Sequence, residues 1–127
     1  MKQKEEKMIK VFHSVVGNHR MHVANVYTSS LDEAFRLTQN IEGSWSQGQF
    51  FENREENPDF DNRIELIAPL TVDSTGKTWG LRSTSMFDEM ELNDKTYVVK
   101  AAGFALKEKI NLGSLISAIS NETQGVV

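Results

Sequence analysis

Cysteine is absent from the sequence. Disulfide staples, thiol nucleophiles and cysteine-ligated zinc are therefore excluded, and packing and hydrogen bonds must hold the chain together. Proline occurs only as Pro58 and Pro69, so the chain is neither a polyproline spacer nor a low-complexity linker. No apolar run approaches the ~20 residues of a membrane-spanning helix. The charged stretch Lys2 to Lys7 is not followed by the apolar core of a signal peptide. Positive charge is also scarce, with 14 Lys and Arg against 18 Asp and Glu, a formal net charge of −4. Proteins that track a phosphate backbone draw affinity from clustered Lys and Arg, so direct nucleic-acid binding is not expected. The charge is too mild to imitate DNA. These exclusions lead to the expectation of a cytoplasmic protein with no membrane contact.

What remains suits one domain: 127 residues, with 39% hydrophobic content, are enough to bury a single core. Ile9 to Val16 and Met21 to Tyr27 read as strands, with Gly17-Asn18 as a two-residue reversal. On that register Val16 faces His19, and His13 lies opposite His22. No acid occurs between Met8 and Thr28, so this hairpin is locally positive. Two facing imidazoles suggest a metal or a pH sensor, but a hairpin fixes only two ligands. Neither a metal nor a cofactor is expected. His13, Arg20 and His22 instead make an alternative site for a nucleotide or other small anion.

Ser29-Ser30-Leu31-Asp32-Glu33 is a helix start: Ser30 suits the N-cap, and Glu33 is placed to reach back in a capping box. Leu31, Ala34, Phe35, Thr38 and Ile41 recur at helical spacing, which predicts a helix of about 11 residues packed on the sheet. Gly43 to Arg63 is irregular. It carries Trp45, Phe50, Phe51 and Phe60 among Glu52, Glu55, Glu56, Asp59 and Asp61. A segment this long without periodicity is a candidate binding loop, since aromatics anchor partners and an acidic rim steers basic ones. The bland alternative is that all four rings tuck under the loop and serve folding.

Ile64 to Ala68 reads as a strand stopped by Pro69, and Asp73 to Gly76 as a turn between Leu70–Val72 and Lys77–Trp79. Met90–Leu92 and Thr96–Val99 flank Asn93-Asp94-Lys95, a tight reversal. Leu112, Leu115, Ile116 and Ile119 predict a short C-terminal helix, and residues 1–8 and 121–127 are expected to be loose ends. Gly76-Lys77-Thr78 ends like a phosphate-binding loop, but Thr71 stands where its first glycine belongs. Ser83, Thr84 and Ser85 would need a base from the first hairpin to act as nucleophiles. No catalytic residue is assigned.

Two blocks carry a family resemblance. One is Val26 to Ile41, containing Leu31-Asp32-Glu33-Ala34-Phe35-Arg36-Leu37-Thr38, with Trp45 beyond it. The other is Arg82-Ser83-Thr84-Ser85, Asp88, Tyr97-Val98-Val99 and Gly103-Phe104. Over residues 9 to 106 the chain resembles a group of small proteins of tailed bacteriophages and related mobile elements. Phe87 departs from that pattern, which has glycine before the Asp, so the turn must either avoid positive φ or strain to reach it. Residues 46–63 and 70–80 look like insertions. The resemblance implies a phage context and no active site.

The expectation is an α+β domain over residues 9–120: a mainly antiparallel sheet with one principal helix packed on it. The favoured function is a non-enzymatic interaction protein that binds a host or phage protein with a basic surface, in the cytoplasm of the infected bacterium. Its contact residues would be Trp45, Phe50, Phe51, Glu52, Glu55, Glu56, Asp59 and Phe60.

Overall fold

The computed structural model describes residues 7–17 and 19–107. The expectations for residues 1–6 and 108–127, including the C-terminal helix, lie outside them. The first hairpin is formed by β1 (Ile9–Val15) and β2 (His19–Val26), which pair antiparallel. Its reversal is longer than the sequence suggests, because Val15 rather than Val16 pairs with His19. Gly17 takes a φ of 82°, which an L side chain resists and glycine tolerates. A register shift between Val11 and Phe12 leaves Val23 as an extra residue on β2. His13 therefore pairs with Met21, and His22 with Phe12. Successive residues alternate faces, so the two imidazoles separate.

α1 (Leu31–Leu37) starts as its sequence dictates, with the Ser30 hydroxyl accepting from the Glu33 amide at 3.1 Å. The second half of the capping box does not form. The Glu33 carboxylate turns to Arg36 and Arg63, and the Ser30 amide donates to the Thr28 hydroxyl. The helix also stops short of the predicted Ile41. The Thr38 hydroxyl bonds the carbonyls of Ala34 and Phe35, the Gln39 amide bonds that of Phe35, and Asn40 turns to Leu81 and Trp45. Polar side chains that satisfy these carbonyls and turn amides end the helix where apolar periodicity alone continues it.

The chain then adds β3 (Ile64–Leu66) beside β2 and makes a separate small hairpin of β4 (Thr71–Val72) and β5 (Thr78–Trp79). It returns to the sheet as β6 (Glu89–Leu92), β7 (Lys95–Lys100) and β8 (Gly103–Lys107). The six-stranded sheet runs β3-β2-β1-β6-β7-β8 and every neighbouring pair is antiparallel. The expected α+β architecture is present over the described residues. Asn93 and Asp94 form the β6–β7 reversal at φ of 53° and 66°, the paired left-handed residues of a type I′ turn.

One face of the sheet carries the core: Ile9, Val11, Ala24, Val26, Met90 and Val99 meet Ala34 and Leu37 of α1 and the indole of Trp45. Phe35 is half-buried, edge-on to Phe104 at 6.2 Å, so the helix packs on the sheet as expected with Ala34 and Leu37 as its innermost residues. Leu31, Tyr97 and Val98 are likewise half-buried rather than core. The opposite face carries Phe12, His22, Arg20, Glu89 and Glu91.

Between Ser85 and β6 the chain makes a tight turn, with the Asp88 amide donating to the Ser85 carbonyl. Phe87 does reach positive φ there, at 75°, and the residue is 62% exposed. Its amide donates to the Val99 carbonyl, which fixes the turn. A left-handed L residue costs ~1–2 kcal/mol, and an exposed ring recovers little by burial. Phe87→Gly is therefore expected to raise stability by about 0.5–1 kcal/mol once the entropy of glycine is set against the strain. Chemical denaturation checks it; a loss of 1 kcal/mol or more would show that the ring holds the turn.

Candidate functional site

Two places hold chemistry worth testing, one buried and one exposed. The buried one centres on Asp88, the residue just before β6, whose carboxylate is enclosed in the core. Arg82 clamps it with two bonds of 2.6 and 2.9 Å, the amides of Ser14 and Ser85 each donate at 2.8 Å, and the Ser14 hydroxyl adds a bond at 3.2 Å. Burial alone would raise its pKa, yet the Arg82 bonds and the two amides hold it below the ordinary carboxylate value. His13 Nε2 lies 2.9 Å from the Thr84 hydroxyl and 3.9 Å from Asp88. Burial lowers the His13 pKa to about 4, with Asp88 opposing the shift and Arg82 reinforcing it. The imidazole is neutral at pH 7.

The first hairpin thus does deliver a histidine to the Ser83–Ser85 segment. The arrangement still lacks the geometry of a catalytic relay. A nucleophile–base–acid chain uses one ring nitrogen for the nucleophile and the other for the acid, whereas here Thr84 and Asp88 both lie nearest Nε2. Asp88 is already neutralised by Arg82, and Thr84 and His13 are both buried. The cluster is a tie. Thr84 bonds the Thr38 carbonyl and the Gln39 amide, the Trp45 indole N–H donates to the Arg82 carbonyl at 2.8 Å, and the Leu81 amide donates to Ser46. Segment 81–88 thereby joins the end of α1, the start of the long loop, β1 and β7.

The alternative anion site does not assemble. His13 faces the core, while His22 stacks on Phe12 at 5.0 Å between centroids on the other face. Arg20 lies 3.8 Å over the Phe12 ring and is paired with Glu89 and Glu91 at 2.9 and 2.8 Å. The adjacent open cleft, about 750 Å³ between the β1–β2 turn and Phe87, also contains Lys107, but Glu89 pairs with that cation too. Its positive charge is spent inside the molecule. Among the described residues no group of three or more His, Asp or Glu is placed to hold a metal ion.

The exposed place is the 43–63 loop together with the β4–β5 hairpin. Residues 43–63 are ordered by two side chains. Asn57 bonds the Ser44 amide and the carbonyls of Ser44 and Gly48, and Asp59 accepts from the amides of Ile41, Glu42 and Gly43. Asp59 is thus a loop staple rather than a free rim charge. Trp45, only 1% exposed, is core and is removed from the set of partner contacts. Phe51 is half-buried beneath the loop. Phe50 and Phe60 face solvent, at 53% and 38%.

The sequence reading missed Trp79 on β5. Its ring is 51% exposed, its indole N–H donates to Asp73 at 2.8 Å, and Lys77 lies 4.1 Å over it. Asp73 also accepts from the Thr75 hydroxyl and from the amides of Thr75 and Lys77. Those bonds, the Thr75 hydroxyl first, depress its pKa. The signal was in the spacing, since Asp73-Ser74-Thr75-Gly76 is an Asx-type turn that fixes the residues after it. Glu52 crosses from the loop to bond the Thr78 amide and hydroxyl, which closes one side of a cleft of about 400 Å³ between Phe51 and Trp79. Glu55 and Glu56 lie exposed on the same loop.

Comparison with known proteins returns no match: no family model, curated protein or solved structure is similar to this chain. The fold and the sites define an α+β protein with a buried polar cluster that joins its elements and with exposed aromatics at Phe50, Phe60 and Trp79 on the loop and hairpin and at Phe87 before β6. No helix among the described residues is long and apolar enough to cross a membrane.

Asp88→Ala is expected to cost about 3 kcal/mol, because it strands the Arg82 guanidinium and two inward amides. Urea titration measures it; a cost under 1 kcal/mol would remove Asp88 from the framework. His13 sets an acid sensitivity. Between pH ~6.5 and about 4 the unfolded chain protonates His13 while the folded chain does not, so stability falls as pH falls. The expected loss through this window is roughly 3 kcal/mol. His13→Gln should flatten it, and an equally steep profile in that variant would assign the sensitivity elsewhere.

Proposed function

We propose that this chain is a non-enzymatic interaction protein that binds another protein through the face formed by the 43–63 loop and the β4–β5 hairpin. The observation that carries this reading is Trp79, an exposed indole whose orientation is already fixed by Asp73 and Lys77. An aromatic held in place before binding loses little conformational entropy on contact, and Trp is the side chain most often found at binding hot spots. Phe50 adds a second exposed ring, and Phe51 lines the cleft beside Trp79.

Glu52, Glu55 and Glu56 give this face an acidic rim, which suits a partner with a basic surface and speeds encounter more than it tightens binding. The resemblance to small proteins of tailed phages directs the proposal to a host or phage protein met in the cytoplasm of an infected bacterium, whose activity the chain modulates. Affinity capture from infected cells, followed by mass spectrometry, identifies the partner. Phe50→Ser and Trp79→Ser are each expected to weaken capture by about 2 kcal/mol, some thirty-fold in Kd, with the melting temperature unchanged. Capture that survives both substitutions would move the docking surface away from this face.

A further inference from the structure

A second interaction surface, independent of the aromatic face, lies at one edge of the sheet. The two edges are unlike. β3 is only three residues long, and beyond it the amides of Ile67 and Ala68 both turn to the Val23 carbonyl before Pro69 ends the run. Shortness and proline are the devices by which proteins block an edge. β8 has five residues, no proline and no bulge, and among the described residues no strand lies on its outer side.

The register fixes which β8 groups are open. The Val99 amide bonds the Asp88 carbonyl and the Val99 carbonyl accepts from Phe87, so both polar groups of Val99 point away from β8. Its partner Phe104 must then point its own N–H and C=O away from β7, and Leu106, two residues on, does the same. The outer edge thus offers two donors and two acceptors spaced for an antiparallel strand. Leu106 stands beside them with a side chain 58% exposed, on the same face as Phe104.

We propose that two copies of this chain join edge to edge through β8, antiparallel about a two-fold axis at Ala105, so that their sheets run into one. In that register Phe104 of each copy lies opposite Leu106 of the other, and each such pair exchanges both backbone bonds. Leu106 is covered by Phe104 of the second copy. The backbone positions of the two Lys107 residues stand roughly four residue rises apart along the strands, ~13 Å, beyond the ~8 Å screening length of physiological salt. Each is also paired with its own Glu89 at 2.8 Å. Because the β3 edge is blocked, head-to-tail growth has no second surface, and pairing closes at the dimer instead of running on as a filament.

Light scattering and sedimentation of the full chain over a broad concentration range test this. The expected mass is twice the 14.4 kDa of one chain, falling towards one chain on dilution. Leu106→Pro removes an N–H that faces only the second copy, and Leu106→Lys places a charge against Phe104 of that copy. Both are expected to give the single-chain mass with an unchanged circular dichroism spectrum. If Leu106→Pro loses its fold, Leu106→Lys decides alone. A single-chain mass for the unsubstituted protein at every concentration, a dimer that persists in Leu106→Lys, or open-ended larger species would each overturn the proposal.

Discussion

A carboxylate cannot be taken into an apolar core unless its charge and its lone pairs are met, and the way Asp88 meets that demand organises the rest of the molecule. Arg82 supplies the opposite charge, while Ser14 and Ser85 supply backbone amides. Those donors lie in segments distant in sequence, so satisfying one carboxylate fixes β1 against segment 81–88. The same segment is bonded through its backbone to Thr38, Gln39 and Trp45, so the constraint extends to the helix and the loop. Each partner leaves an uncompensated polar group behind if it moves, which makes the cluster cooperative rather than a sum of surface bonds.

With the sheet and helix tied in this way, the 43–63 loop and the β4–β5 hairpin lie outside the six-stranded sheet. Neither is loose, because Asn57, Asp59 and Asp73 each satisfy several backbone groups from one side chain. Trp79 is held at the surface as a result, its indole N–H bonded to Asp73. The polar interior thus ties the fold together, while the exposed aromatics of the loop and hairpin lie outside that framework.

Local features with a local cause were legible in the sequence. Ser30 starts a helix because its hydroxyl reaches an amide three residues on, and Asn93-Asp94 reverse the chain because both tolerate left-handed backbone. The strand expected to run from Ile64 to Ala68 stops earlier, at Leu66, because the amides of Ile67 and Ala68 both turn to the Val23 carbonyl and leave the ladder. Phe87 was legible as a problem, since a bulky residue in a turn that favours glycine must either avoid the left-handed region or accept strain; the structure takes the strain. Features that failed were those in which a local pattern competed with a distant partner. Ile41 continues the helical period, but Thr38, Gln39 and Asn40 end the helix with their own hydrogen bonds, several of them to residues more than 40 positions away.

By itself the sequence determined the class of fold, the places of the main strands and the helix start, because those follow from periodicity of two or 3.6 residues and from capping and turn chemistry. It also determined that aromatics and acids would gather between residues 43 and 63. Only the tertiary structure decided which rings are available. Trp45 is buried because Arg82 offers its indole a carbonyl, whereas Trp79 is exposed because Asp73 satisfies its indole at the surface. The two histidines of the first hairpin were separated by one extra residue in β2, which turned His13 inward to Thr84 and left His22 on Phe12. Side-chain direction in a sheet depends on register, and register depends on bulges and partners that no short stretch of sequence encodes.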